Sequence, residues 1–490
     1  MKNLEEYFTD IRKNIIGNDK VFKTNYGSMK MVYADWTASG RLYKPIEEKM
    51  TNEFGPFVGN THTTTTVTGT SMTLAYHKAQ HIIKNHVNAS KDDVLISTGS
   101  GMTRVVNKFQ RILGLKVNEK LSKYINIPKE EKPIVFITHM EHHSNHTTWL
   151  ETIADVEIIN ANEDGLVDTE HLRKLLKKYS DRKIKISAIT ACSNVTGIQT
   201  PVHEIAEIMH KNDGLCFVDY ACSAPYVKID MHPKNPLQKL DAIYFSPHKF
   251  LGGPGSTGIL IFDSALYECK TPDLPGGGTV RWTDPWGTHL YLMDIEVRED
   301  GGTPAFLQTI RTALSIKLKE KMGIENIQKR EKQIVEYVFN KLKNMQRVHI
   351  LADNISDRLP VFSFIIEDLH YNLAVKLLND HFGIQTRGGC SCAGTYGHYL
   401  LRLSPQRSQA LRKHILKDNF SDKPGWIRIS LHPTMSNKTI DYILNSLETM
   451  ISKSDEWSED YKYDSSTNEF TNINDIHNSE SQIENWFETK

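Results

Sequence analysis

The stretch IYFSPHKFLGGPG, residues 243–255, sets Lys249 between an apolar run and a cluster of glycines. A lysine there is either a solvated surface charge or an amine held where the backbone can approach a ligand closely. Upstream, FVDYACSAP places Asp219 directly after an apolar run. A carboxylate in that position needs a backbone donor, an arginine or a cationic ligand atom as partner. Ser97, Thr98, Ser100 and Thr103 lie with Gly99 and Gly101 where a strand pattern gives way to a helix pattern. Such a junction offers N–H groups and hydroxyls to an anion; without a Walker lysine or GxGxxG spacing it does not read as a nucleotide loop. THMEHHSNHTTW gathers His139, His142 and His143 around Glu141. Adjacent residues diverge in direction and HExxH spacing is absent, so a stacking or acid–base histidine is expected rather than a metal site. SNVTG puts Asn194 after another apolar run, where its amide can bond a ligand or satisfy a turn.

One ligand would satisfy these groups together. It needs a phosphate for the helix start and the hydroxyls, a protonated ring nitrogen for Asp219, a ring face for a histidine and an aldehyde for Lys249. Pyridoxal 5′-phosphate has all four features.

The elements that must position these residues are legible in the hydrophobic pattern. Over residues 94–262, the runs DVLIST, PIVFIT, VEIIN, KISAIT, GLCFVDY, DAIYFS and GILIF read as buried strands, most of them parallel. Helical patterns at 101–115, 168–180 and 201–212 lie between them. This alternation predicts a doubly wound α/β domain with ligands at the C-terminal ends of the strands. Residues 304–345 read as helical, and 347–450 as a smaller α+β domain. The expected organisation is therefore an N-terminal segment, 1–30, contributing to the small domain; a large cofactor domain, 31–303; a linking helix and small domain, 304–452; and an acidic tail, 453–490. The tail holds ten acidic residues against three basic ones and is expected to be largely disordered.

Composition bounds the rest. The chain is 39% hydrophobic, 24% charged and formally neutral, so nothing points to capture of nucleic acid or an anionic membrane. No apolar run approaches the ~20 residues that span a bilayer. The N-terminus lacks the apolar core of a signal peptide, and six scattered cysteines suit a reducing compartment, so a cytoplasmic location is expected.

The ordered motifs YADWTASG, STGSGMT, MEHHSN, SNVTG, VDYACSA, SPHKFLGGPGSTGIL, PGGGTV, EDGGTP, TRGGCSCAG and IRISL, spread over roughly residues 30–450, carry a resemblance. The chain resembles the class V aminotransferase-fold enzymes, and within them the cysteine desulfurases and selenocysteine lyases. The resemblance implies the type I fold of pyridoxal-phosphate enzymes, with Lys249 forming the Schiff base. It implies Asp219 on the pyridine nitrogen, His142 stacked on the ring and Asn194 on the ring oxygen. Thr98, Ser246 and His248, with the backbone around Ser100 and Gly101, would grip the phosphate. Thr279 or Thr303 would reach the phosphate of a neighbouring subunit, which implies a homodimer. Arg428 is similar to the arginine that binds the substrate α-carboxylate, and Arg387 and Cys392 keep the five-residue spacing of an arginine and a persulfide-forming cysteine.

The implied activity is removal of sulfur from L-cysteine, giving L-alanine and a persulfide on Cys392, with a sulfur-acceptor protein as a further partner. His142 would serve as acid–base partner. Rival readings are another reaction on the same scaffold (transamination, C–S β-elimination, selenocysteine lysis or epimerisation) and a scaffold without catalysis. Three departures from the family pattern stand out. Cys222 replaces the usual glutamine three positions after Asp219, Cys390-Ser391 replaces the usual pair before Cys392, and residues 399–422 form an insertion that either covers the site or offers a docking surface.

Overall fold

The computed structural model describes residues 4–475 and 483–488. The Val- and Ile-rich runs form a seven-stranded sheet: β1 (Asp93–Thr98), β2 (Ile134–Thr138), β3 (Asp155–Ile159), β4 (Lys185–Thr190), β5 (Leu215–Asp219), β6 (Ala242–Phe245) and β7 (Gly258–Asp263). Their order across the sheet is β1-β7-β6-β5-β4-β2-β3. All run the same way except β7, which is antiparallel to both neighbours. Both faces are covered, which is why the strands are continuously apolar: β2, β4 and β6 are buried along their whole length. Helices Met102–Ile112, Thr169–Lys178 and Val202–His210 stand where the amphipathic pattern placed them.

The C-terminal ends of the parallel strands then gather at one rim. Asp219 ends β5, and Ser246 follows β6 directly. Two helices, Met102–Ile112 and His143–Leu150, start at the same rim after β1 and β2.

Helices Phe306–Met322 and Ile324–Lys343 lead to the smaller domain, broken by Gly323 at φ +77°, a left-handed conformation that glycine adopts without strain. Its four strands, β8 (Val348–Ile350), β9 (Val361–Ile366), β10 (Arg387–Gly389) and β11 (Trp426–Ser430), lie in the antiparallel order β8-β9-β11-β10. The chain start joins this domain: Val32–Tyr33 pairs in parallel with Ile384–Gln385, and Thr24 Oγ1 donates to the Asp380 carbonyl at 2.7 Å.

Of the tail expected to be disordered, 453–490, residues 476–482 and 489–490 lie outside the described ones, and 453–475 carries regular structure. Helix Asn437–Ser458 runs through its first residues, and Tyr461–Asp464 pairs with Glu469–Asn472 as an antiparallel hairpin. The hairpin docks through polar contacts, Tyr461 Oη to Asp380 Oδ2 and Asn468 Nδ2 to Tyr371 Oη, both 2.8 Å. A segment poor in apolar residues thus folds by packing Tyr461 and Phe470 on the core and by using hydrogen-bond partners that the small domain supplies.

Candidate active site

The rim of the large sheet and the edge of the small one enclose a cavity. Gly101, Met102, Thr103, His142, Asn194, Asp219, Ser246, His248 and Lys249 line it from the large domain, and Arg387, Cys392 and Arg428 from the small one. These side chains come from segments scattered over more than three hundred positions and meet only because the strands end together.

At one end, Met102 opens its helix, and its N–H donates to Ser246 Oγ at 2.9 Å. Thr103 Oγ1 and Ser144 Oγ, at the starts of the two rim helices, lie 2.7 Å apart. Hydroxyls and a helix start together form an anion-binding corner. Close backbone approach requires the small residue there, since a Cβ on Gly258 would stand 2.5 Å from the Gly101 carbonyl.

Elsewhere on the cavity wall, Asp219 is 3% exposed, and its carboxylate accepts the Ala221 N–H at 2.8 Å. Burial pushes its carboxyl up to about 6, with the Ala221 N–H and Lys249 pulling the other way. Lys249, half-buried on the same cavity, is lowered by desolvation, opposed by Cys222 and Asp219. Its amine therefore loses its proton more readily than a surface lysine does. His142 caps its helix by accepting the Ser144 N–H at Nδ1 (3.1 Å), and burial, with Lys249, His143 and Arg428 adding to it, lowers the ring to about 3. The imidazole is neutral near pH 7 and presents a flat, uncharged face. Asn194 anchors the wall, its Nδ2 donating to the Ser391 carbonyl at 2.7 Å, while its buried Oδ1 has no partner among the described residues.

On the small domain, Arg387 and Arg428 are cross-strand partners on β10 and β11. Asp35 bridges them, its Oδ1 accepting from Arg428 Nη2 at 2.6 Å and its Oδ2 from Arg387 Nε at 3.0 Å. Arg428 is 2% exposed and also donates to the Asn194 carbonyl at 2.9 Å; its buried Nε has no protein partner. Cys392 is exposed, unlike the buried Cys192, Cys216 and Cys222. It and Ser391 both adopt left-handed backbone, φ 56° and 50°, a conformation that costs a non-glycine residue of order 1 kcal/mol or more. The turn is tied down by the His143 N–H, which donates to the Cys392 carbonyl at 2.7 Å, and by the Ala393 N–H on the Cys390 carbonyl at 3.0 Å.

Several expected residues stand elsewhere. Thr98, paired with Gly258 at the end of β1, and Ser100, which is exposed, do not line the cavity. The corner takes Thr103 and Ser144 instead, because the two helix starts converge one turn further on. Thr279 is buried in its own turn, donating to the Gly276 carbonyl at 2.6 Å, and Thr303 is exposed; neither lines this chain's cavity. Glu141 is occupied structurally, accepting from the Thr138 and Thr190 N–H groups and from Asn145. Cys390 packs against the apolar core, whereas Cys222 lines the cavity floor with Cys192, both Sγ atoms 3.6 Å from the Ser193 carbonyl. No residue of 399–422 lines the cavity, so the insertion does not cover it.

A model of the aminotransferase class-V family matches residues 32–443. The chain belongs to the class-V aminotransferase family. Among family members it is similar to a probable cysteine desulfurase of Halalkalibacterium halodurans, with 28% identity over 367 residues, 74% of this chain and 84% of the relative. It is also similar to a cysteine desulfurase of Haloferax volcanii, with 26% identity over 379 residues, 74% of this chain and 80% of the relative. Among solved structures, the apo cysteine desulfurase of Thermococcus onnurineus superposes with a TM-score of 0.71 at 22% identity, covering 90% of this chain and 98% of that one. A cysteine desulfurase of Escherichia coli gives a TM-score of 0.67 at 20% identity, over 86% and 94%. The fold is thus the type I fold that the motifs implied, with a large, mainly parallel α/β domain and a smaller C-terminal one.

Proposed function

We propose that this chain is a pyridoxal-phosphate-dependent cysteine desulfurase that moves the sulfur of L-cysteine onto Cys392 and releases L-alanine. The observation that carries the reading is the exposed Cys392 on the same cavity as Lys249, Arg387 and Arg428. The names of the relatives support it.

The residues present fit the cofactor. The corner formed by Ser246, Thr103, Ser144 and the Met102 helix suits its phosphate, and His248, with burial lowering it to about 4, adds a neutral neighbour there. The unpartnered Oδ1 of Asn194 suits a hydroxyl on the ring. Asp219 suits a protonated ring nitrogen, and that cation would bring its carboxyl back toward the ionised form. Bound there, pyridoxal phosphate supplies an electron sink conjugated to the α-carbon of an amino acid.

The chain's own groups do the rest. The guanidinium groups of Arg428 and Arg387, both held by Asp35, bind the substrate α-carboxylate. Lys249, with a lowered pKa, takes and returns the α-proton at Nζ. His142 would hold its neutral face against the bound ring and carry a proton beside it. Cys392 thiolate attacks the sulfur of cysteine: the S–S bond forms, the Cβ–S bond breaks, and Cβ takes up a proton to leave alanine. The two electrons of the broken bond stay with the alanine carbon, and Cys392 is left as a persulfide. In a homodimer, Thr279 or Thr303 would complete the phosphate site of the neighbouring subunit.

Incubation of the pyridoxal-phosphate-loaded enzyme with L-cysteine and a reducing thiol tests the reading. Alanine and sulfide in equal amounts are expected; pyruvate with ammonia would assign a β-lyase instead.

A further inference from the structure

Two cysteines on the cavity floor have no part in the proposed reaction. Cys192 follows β4 and Cys222 follows β5, parallel neighbours in which Thr190 pairs with Asp219. The pairing continues past the strand ends, because the Ala191 N–H donates to the Asp219 carbonyl at 2.8 Å. The two backbones are therefore about 5 Å apart as they approach the cysteines, a separation that a disulfide spans. Both side chains turn to the same point: each thiol donates to the Ser193 carbonyl at 3.6 Å. Cys192 is 1% and Cys222 5% exposed, and both line the cavity, so a small molecule reaches them from there.

A cysteine that only fills a core is inert. Cys222 is placed differently. A hydrogen bond from Cys192 is the largest influence on its thiol and lowers it; desolvation opposes, and the nearby Lys249 and Arg428 add to the lowering. Cys192 is pushed well above the ordinary thiol value by burial, so it keeps its proton. A thiolate beside a thiol, next to two cations, is the arrangement in which one sulfur is oxidised and the second resolves it. The remaining buried thiol differs: burial pushes Cys216 up to about 12. Cys269 donates its thiol to the Ile112 carbonyl at 3.1 Å, outside the cavity.

We infer that Cys222 and Cys192 are a dithiol that a hydroperoxide entering the cavity converts to a disulfide, and that bound pyridoxal phosphate shields the pair. With hydrogen peroxide, the Cys222 thiolate attacks one oxygen, the O–O bond breaks, hydroxide leaves and Cys222 becomes a sulfenic acid. Cys192 Sγ then attacks that sulfur: the S–S bond forms, the S–O bond breaks, and the oxygen leaves as water with the Cys192 proton. Two thiols lose two electrons, and one peroxide is reduced to two waters. The dithiol holds whichever reaction the cavity performs. The shielding rests on the cofactor reading, because Cys222 shares the cavity with Asp219, Asn194 and Lys249.

The test treats the full-length protein, with and without pyridoxal phosphate, with hydrogen peroxide. Free thiols are then blocked, and the chain is cut after aromatic residues without a reductant, so that Tyr220 separates Cys222 from Cys216. Without the cofactor, mass spectrometry is expected to find the Cys192 and Cys222 peptides joined, two hydrogens lighter than their sum, and parted by a reducing thiol. In the loaded protein the joined pair is expected to be lost over the same exposure. In Cys192→Ser, Cys222 is expected to stop at the sulfenic acid and to take up a sulfenic-acid trap. Cys222 found as a sulfinic acid or joined to Cys392, with Cys192 free, would overturn the dithiol; so would both thiols still free once Cys392 is oxidised. These wild-type outcomes decide the matter even where the variant does not fold. The same joined pair in a loaded protein that shows the absorbance of the lysine-bound cofactor would overturn the shielding. Failure of the cofactor reading shows separately, as a protein that takes up no pyridoxal phosphate, and the joined peptides still decide the dithiol.

Discussion

The two walls of the cavity are built on opposite principles. The wall from the large sheet is buried: Asp219 and Ser246 are nearly inaccessible, and Lys249 and His142 have their charged forms disfavoured by desolvation. The wall from the small domain is a strained, exposed turn at Cys392 beside an arginine pair that shares the single carboxylate of Asp35 and so keeps one positive charge over. The first arrangement suits a group that stays bound and needs fixed dipoles. The second suits a group that must meet substrate, accept sulfur and then present it outward. Strain and exposure concentrate where traffic occurs.

Breaking the buried wall should have the largest effect. Lys249→Ala is expected to lower alanine formation from L-cysteine by at least about four orders of magnitude and to remove the absorbance band of the lysine-bound cofactor. Breaking the exposed wall should leave that band in place. Cys392→Ala is expected to lower sulfide release by about three orders of magnitude with the cofactor spectrum unchanged; loss of the spectrum would mean that the two walls are not independent.

Within the small-domain wall the arginines should separate by burial. Arg428→Lys keeps the charge but loses bidentate geometry in a buried site, so KM for cysteine is expected to rise by about 30-fold or more, on the order of 2 kcal/mol. Arg387, half-exposed, should cost less when changed to lysine, a rise of a few-fold. The reverse order in steady-state kinetics would place the carboxylate on Arg387.

The smallest effect concerns stability. The Asp219 carboxyl sits at about 6 against an ordinary 3.8. A raised folded-state pKa means that its contribution to the cofactor-free protein is fully present below about pH 4 and is lost as the pH rises through about 6. Asp219→Asn should therefore gain melting temperature relative to the wild type between those limits, equivalent to at most about 3 kcal/mol. Calorimetry of both proteins across that range checks the sign.

The buried wall was legible in the sequence because burial leaves a pattern. Continuous Val/Ile runs announce parallel strands, and Asp219, Asn194 and Lys249 each follow one, where the strand ends must converge. Asp35 left no such trace. Its partners lie 352 and 393 positions away, and only the pairing of β10 with β11 brings them to one carboxylate. Which hydroxyls line the corner of the cavity is illegible for a related reason. Thr98, Ser100, Thr103 and Ser144 are chemically alike, and only the folded chain shows that the last two line the cavity. The hairpin of Tyr461–Asp464 with Glu469–Asn472 leaves little trace in composition, because two aromatic side chains, Tyr461 and Phe470, and a few hydrogen bonds to the small domain hold it.

The central claim is that sulfur leaves cysteine by way of Cys392 under the action of Lys249. Loaded wild type and Lys249→Ala are incubated with L-cysteine without a reducing thiol, digested, and the cysteine-containing peptides weighed. The account predicts the mass of one added sulfur on the peptide bearing Cys392 in the wild type, and none in the variant. Alanine formed with no sulfur on that peptide, or sulfur found at Cys222 instead, would contradict it.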